Sequence, residues 1–192
     1  MFIALDVSIV VSMRFIILLR KYVEEWIKQA LMVNYGRQDG ERCNKLFRIY
    51  KNILKAYVLY KKIFHVLVFY HSFGVFYRNL VYFHIILSAT VYNILSVCLW
   101  QMKNMCLIIL QCILCEKFYI SVEEVDSACI QLLKDKTCSN YQTGFYKKVL
   151  QTNRTFSKMT ACGLFYIDAM LPIRMLLLTT NYVIVLLQFA FT

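Results

Sequence analysis

Only one proline and five glycines interrupt the 192 residues, and charged residues make up just 17% of them. No glycine-rich phosphate loop, no HExxH metal-binding pair and no nucleophile elbow occurs, so the pattern supports neither an enzyme nor a resident cofactor. Acidic residues are scarce, 11 against 22 basic ones, for a net charge of +11. That excess does not point to nucleic acid, because no soluble fold is left to present a basic face and basic residues beside membrane spans orient them. The "CILC" at Cys112–Cys115 lies in an apolar run without a second cysteine pair or a nearby histidine. It reads as helix packing, with no metal site. There is no internal repeat, low-complexity tract or linker, and the amino terminus, with Asp6 and Arg14 in its apolar stretch, is unlike a cleavable signal peptide.

What is abundant is apolar surface. Hydrophobic residues reach 60% with a mean hydropathy of +0.55, against about 45–50% apolar in soluble domains. A membrane helix needs about 20 mostly apolar residues, and four stretches qualify: about 2–19, 63–87, 91–115 and 163–191. The expected fold class is therefore all-α, a single polytopic membrane domain of about four transmembrane helices with helical extensions at 20–62 and 116–160. The first intervening segment has eleven basic and four acidic residues over 20–62, net +7; the second has seven and five over 116–158, net +2. Positive segments face the cytoplasm, which puts the carboxyl terminus outside the cell. Both segments carry helical apolar spacing, as at Leu46, Ile49, Ile53, Leu54, Tyr57 and Val58. Ser121 with Glu124 has capping-box spacing and predicts a helix start, and "GRQDG" at 36–40 predicts a turn. The glycosylation sequon at Asn153 falls in a segment assigned to the cytoplasm and is expected to be unused.

Span two carries His65, His71 and His84 and many aromatic rings. Phe73, Tyr77 and Tyr82, with Trp100 on span three, could line an apolar ligand pocket, although packing is the safer reading of such rings and interface belts account for some of them. In the last span, Pro172 should kink or break a helix. The eighteen uncharged residues from Met175 to Thr192 extend about 27 Å as a helix. Arg174, Asn181 and Gln188 recur every seven residues and share one face. A polar stripe on so apolar a helix must meet water or other polar groups, as glue in a bundle or as the wall of an aqueous path.

Residues Thr160–Phe189, "TACGLFYIDAML…TTNYVIVLLQF", resemble the carboxyl-terminal signature of insect gustatory receptors, in which TY, five hydrophobic residues and QF follow an ACG-F-x-(L/I)-D block. The block is carried here by Ala161, Cys162, Gly163, Phe165 and Asp168, and the terminal motif by Tyr182, Val183 to Leu187, Gln188 and Phe189. The resemblance implies a taste receptor of seven spans in the plasma membrane. It also implies a tetrameric, ligand-gated, non-selective cation channel, a homo- or hetero-oligomer opened by a small-molecule tastant. By position, Gln188 and Phe189 would stand at the constriction, with Asn181, Tyr182 and Val185 lining the same pore. Four spans instead of seven imply a truncated chain. Asn181 replaces the family's threonine, and Pro172 and Arg174 occupy positions usually apolar or small. Competing expectations are a heptahelical signalling receptor without a pore, and an inert fragment or assembly partner of full-length subunits.

Overall fold

The computed structural model describes residues 2–34, 40–88, 91–134 and 139–190. Its helices are α1 (Phe2–Asn34), α2 (Gly40–Ser88), α3 (Val91–Lys134), α4 (Asn140–Asn153) and α5 (Leu171–Ala190). Two short strands, β1 (Thr160–Ala161) and β2 (Phe165–Tyr166), pair antiparallel between α4 and α5. The chain is all-α apart from that hairpin. The expected turn at 36–40 lies, but for Gly40 at the start of α2, outside the described residues.

The first three helices have 33, 49 and 44 residues, about 50, 74 and 66 Å at 1.5 Å each. Each runs unbroken from an apolar stretch through a charged one, because no proline or cap interrupts it. Among the described residues, Cys98–Lys134 is long and apolar enough to cross a membrane, and Leu171–Val185 is a shorter apolar helix.

The chain forms two compact units. Unit 1 comprises Met1–Met13, Ile63–Cys115 and Met159–Thr192; unit 2 comprises Arg14–Lys62 and Glu116–Lys158. Their boundaries at 62/63, 115/116 and 158/159 fall where the sequence changes from charged to apolar.

Unit 2 is built on buried stripes of residues three or four apart. Ile16, Leu19, Val23, Trp26 and Ala30 come from α1, and Cys43, Leu46, Tyr50, Ile53 and Tyr57 from α2. Such spacing puts each set on one helix face. Aromatic rings fill the interior: Trp26 lies 4.6 Å from Tyr50, and Tyr57 lies 4.9 Å from Phe118 and 5.2 Å from Phe156. Their polar atoms are satisfied inside. Trp26 Nε1 donates to the Leu46 carbonyl at 2.9 Å, and the Tyr57 hydroxyl to the Ser157 carbonyl at 3.2 Å. Asn153, 6% exposed, accepts from the Tyr50 hydroxyl and donates to Asp126 Oδ1 at 2.8 Å and the Val122 carbonyl at 3.4 Å. An amide so enclosed has no room for a glycan. Burial raises the Tyr50 hydroxyl above its ordinary pKa, and the Asp126 and Cys129 charges add to it, against the lowering hydrogen bond to Asn153.

Two expectations are corrected. Ser121 does not start a helix: it lies within α3 and its hydroxyl donates to the Lys117 carbonyl at 3.0 Å. A serine inside a continuing helix bonds back to the carbonyl four residues earlier. The true capping box is Ser139 with Gln142, opening α4: Ser139 Oγ accepts from the Gln142 N–H at 3.3 Å, and Gln142 Oε1 from the Ser139 N–H at 2.9 Å. Residues 163–170, placed at the start of the last apolar span, form the hairpin and a turn, and the helix begins only at Leu171. Pro172 stands in the first turn of α5, where a missing N–H costs nothing.

Unit 1 has a different interior. Its buried apolar side chains include Ile9, Val68, Val75, Ile108, Cys112 and Ile167, but Ser12, His71, Ser72, Asn104 and Gln111 are buried with them. Gln111 Nε2 donates to Ser12 Oγ at 3.1 Å, joining α3 to α1.

Candidate functional site

The last helix and the hairpin that leads into it hold most of the residues singled out in the sequence. Ala161 is fully buried and pairs with Phe165. Cys162 and Gly163 follow with φ of 50° and 77°, and the Leu164 N–H closes the turn on the Ala161 carbonyl at 2.9 Å. Positive φ at both central positions is the turn that matches the twist of a tight hairpin, and Gly163 takes it without a Cβ clash. The Ile167 N–H bonds the Met159 carbonyl at 2.9 Å, and Ile167 and Met159 are both fully buried. The ring of Phe165 lies 6.3 Å from Phe69 on α2. Asp168 Oδ1 accepts the Met170 N–H at 3.1 Å, an Asx turn that leads the chain into α5. The block thus acts as a stop and an aim: it ends one course of the chain and sets where α5 begins.

On α5, about 100° separates successive residues. Leu171 and Met175 are buried and Thr179, Val183 and Leu187 half-buried, a stripe centred on one side. Arg174, Asn181, Val185 and Gln188 are all exposed and lie within about 60° of one another, centred about 150° from the packed stripe. Tyr182 differs from this group. It leans toward the packed side, its ring 6.0 Å from Phe76 and edge-on to it. The side chain of Phe189 lies outside the described residues.

Of the four aromatic residues proposed for a pocket, Phe73 lines a cavity with residues of β2 and α5 that Tyr77, Tyr82 and Trp100 do not line. Tyr82 meets Trp100 edge-on at 6.1 Å. Phe73 stacks at 6.0 Å on Phe69, and Tyr77 is 60% exposed. Around Trp100 the structure gathers the charges that interrupt three apolar stretches. The Arg78 guanidinium lies 4.6 Å and the Lys103 ammonium 5.5 Å from its ring centroid, distances at which cations are held by the ring face. Lys103 also pairs with Asp6 at 2.5 Å, and Gln101 donates to Asn79. In the sequence, Asp6, Arg78 and Lys103 stand as isolated charges in three separate apolar stretches. Opposite signs in neighbouring apolar stretches were the available signal, since charges in apolar helices seek one another.

The model of the 7tm chemosensory receptor family matches residues 6–192. This chain belongs to that family. No curated protein sequence matches it. Membership makes the protein a chemosensory receptor and a membrane protein, which accounts for the exposed apolar residues of unit 1, among them Leu95, Leu99, Leu176 and Leu177. The motif residues Ala161 to Asp168 and the α5 stripe both lie within the matched region.

Proposed function

We propose that this chemosensory receptor is a taste receptor subunit whose α5 lines a cation pathway opened by a small-molecule tastant. The carrying observation is the exposed face of α5: Asn181, Val185 and Gln188 turn away from the side packed on the rest of unit 1. Arg174, whose charge would repel cations in a pathway, stands two turns before Asn181 at the start of the helix and is not counted among the pathway residues. Amides held against lipid would be costly, whereas they fit a water-filled path. A single helix cannot enclose such a path, so copies of the chain or other receptor subunits assemble around it, as a tetramer in the family's manner. The positive-inside pattern favours a plasma-membrane, multi-pass topology with an extracellular carboxyl terminus.

The test is cysteine accessibility during tastant-evoked current, with the chain expressed alone or beside another receptor subunit. A cationic thiol reagent should block Val185→Cys and spare Leu176→Cys, which is 55% exposed but lies on another side of α5. Equal behaviour of the two would sink the pore assignment. An epitope tag after Thr192 that stains only permeabilised cells would sink the orientation.

A further inference from the structure

Within unit 1, α2, β2 and the first half of α5 enclose a cavity of about 330 Å³. Phe73 and Phe76 line it from α2, Phe165 from β2, and Leu171, Met175 and Leu178 from α5. The wall formed by these six side chains is apolar. Two polar groups interrupt it. Ser72, 2% exposed, contributes a hydroxyl that finds no hydrogen-bond partner among the described residues. Arg174 stands exposed at the opening, and no acidic group among the described residues pairs with it. An arginine on the apolar flank of a membrane protein is expensive unless an anion meets it. A buried hydroxyl without a partner likewise costs free energy until an acceptor or donor arrives.

The opening is on the side, among exposed apolar residues. Phe73 is 56% and Leu178 47% exposed, and the neighbouring Ile173 and Leu177 are 50% and 61% exposed. In a membrane protein such a surface meets acyl chains or another subunit. The cavity holds the volume share of roughly eleven waters at about 30 Å³ each, enough for a good part of one hydrocarbon chain and too little for a two-chain lipid. We infer that this cleft binds an anionic phospholipid. One acyl chain fills the aromatic cavity, the headgroup phosphate pairs with the Arg174 guanidinium, and the ester region comes within reach of the Ser72 hydroxyl. The second chain stays outside against Ile173 and Leu177. The site goes beyond the pore assignment and does not depend on it, because it requires only that the protein reside in a bilayer. Its lipid packs against α5 itself, so the composition of the membrane would bear on the position of that helix.

The full chain reconstituted in phosphatidylcholine vesicles tests this, with either phosphatidylglycerol or phosphatidylcholine carrying a photoactivatable diazirine on one acyl chain. Irradiation should label the peptides containing Phe73, Phe76 and Phe165, with about a fivefold preference for the anionic probe, the scale of one basic residue near an anionic headgroup. Arg174→Gln should make the two probes equal, and Arg174→Lys should keep the preference. Leu178→Trp, which fills the cavity, should reduce labelling by both probes at an unchanged melting temperature. Equal labelling of the native chain by both probes, a preference that survives Arg174→Gln, or no labelling at these peptides overturns the inference. Stronger labelling by a photoactivatable free fatty acid at the same mole fraction also overturns it and assigns the site to a carboxylate. If Arg174→Gln fails to fold, the lysine and tryptophan variants decide.

Discussion

The two units differ in how they bury tyrosine. In unit 2, Tyr50, Tyr57, Tyr60, Tyr119 and Tyr146 are each 2% exposed or less, with Tyr22 and Tyr141 left on the surface, whereas in unit 1 Tyr70, Tyr77, Tyr166 and Tyr182 are each half exposed or more. Inside unit 2 the rings pack on one another, and Tyr50 and Tyr57 spend their hydroxyls on Asn153 and the Ser157 carbonyl. That interior is complete within one chain. Unit 1 buries bonded polar side chains such as Ser12 and Gln111 and turns large apolar ones outward, among them Leu95, Leu99 and Leu177. A protein that turns apolar side chains outward expects a non-aqueous neighbour, either lipid or another subunit. The difference teaches that stability and contact with surroundings are assigned to different stretches of the same three long helices.

This division can be broken by substitution. The largest effect is expected from Tyr57→Ala, which removes the ring shared by Phe118, Tyr119 and Phe156. A loss of about 3–5 kcal/mol should appear as a lower melting temperature or no folded protein in detergent. Asn153→Ala follows at about 2–3 kcal/mol, since Asp126 and the Tyr50 hydroxyl lose a buried partner; the same measurement checks it. In unit 1, Gly163→Ala forces a Cβ onto a φ of 77° and should cost about 1–2 kcal/mol, with Gly163→Asn nearer neutral because asparagine tolerates that region.

A pH series sharpens the comparison further. The Tyr50 hydroxyl is raised by burial, so above the ordinary tyrosine value of about 10 the unfolded chain gives up a proton that the folded chain keeps. Stability from this group is full below that pH and is lost as pH rises. Melting temperature should fall less steeply above about pH 10 in Tyr50→Phe than in the native chain, and equal slopes would refute the assignment. Smallest of all, Ile184→Ala should change stability by less than about 0.5 kcal/mol, because Ile184 is 48% exposed in unit 1.

Much of this was legible in the sequence where spacing alone decides. Of the apolar spacing on α2, Leu46, Ile53, Leu54 and Tyr57 are buried while Ile49 and Val58 are exposed, and the seven-residue recurrence of Arg174, Asn181 and Gln188 survives as a face of α5. The hairpin was not legible as one. "TACGLFY" is apolar enough to extend a span, and its strands of two residues are too short to show an alternating pattern. Ser121 misled because a serine can cap a helix or bond back within it, and only the unbroken helix around it decides. The meeting of Asp6 with Lys103, and of both Arg78 and Lys103 with Trp100, joins residues from three helices. No local pattern encodes such meetings, although the signs of the charges hinted at the ion pair.

The Asx turn at Asp168 and Pro172 in the first turn of α5 fix the rotational phase of everything that follows. One residue inserted after Met175 would turn the rest of the helix by about 100°, carrying Asn181 and Gln188 toward the side where Thr179 and Val183 now pack and sending apolar residues to the polar face. Three or four inserted residues would nearly restore the phase at the expense of length. The receptor should therefore tolerate changes of residue type along α5 far better than changes of count, and single-codon insertions and deletions there should be the most damaging lesions for their size.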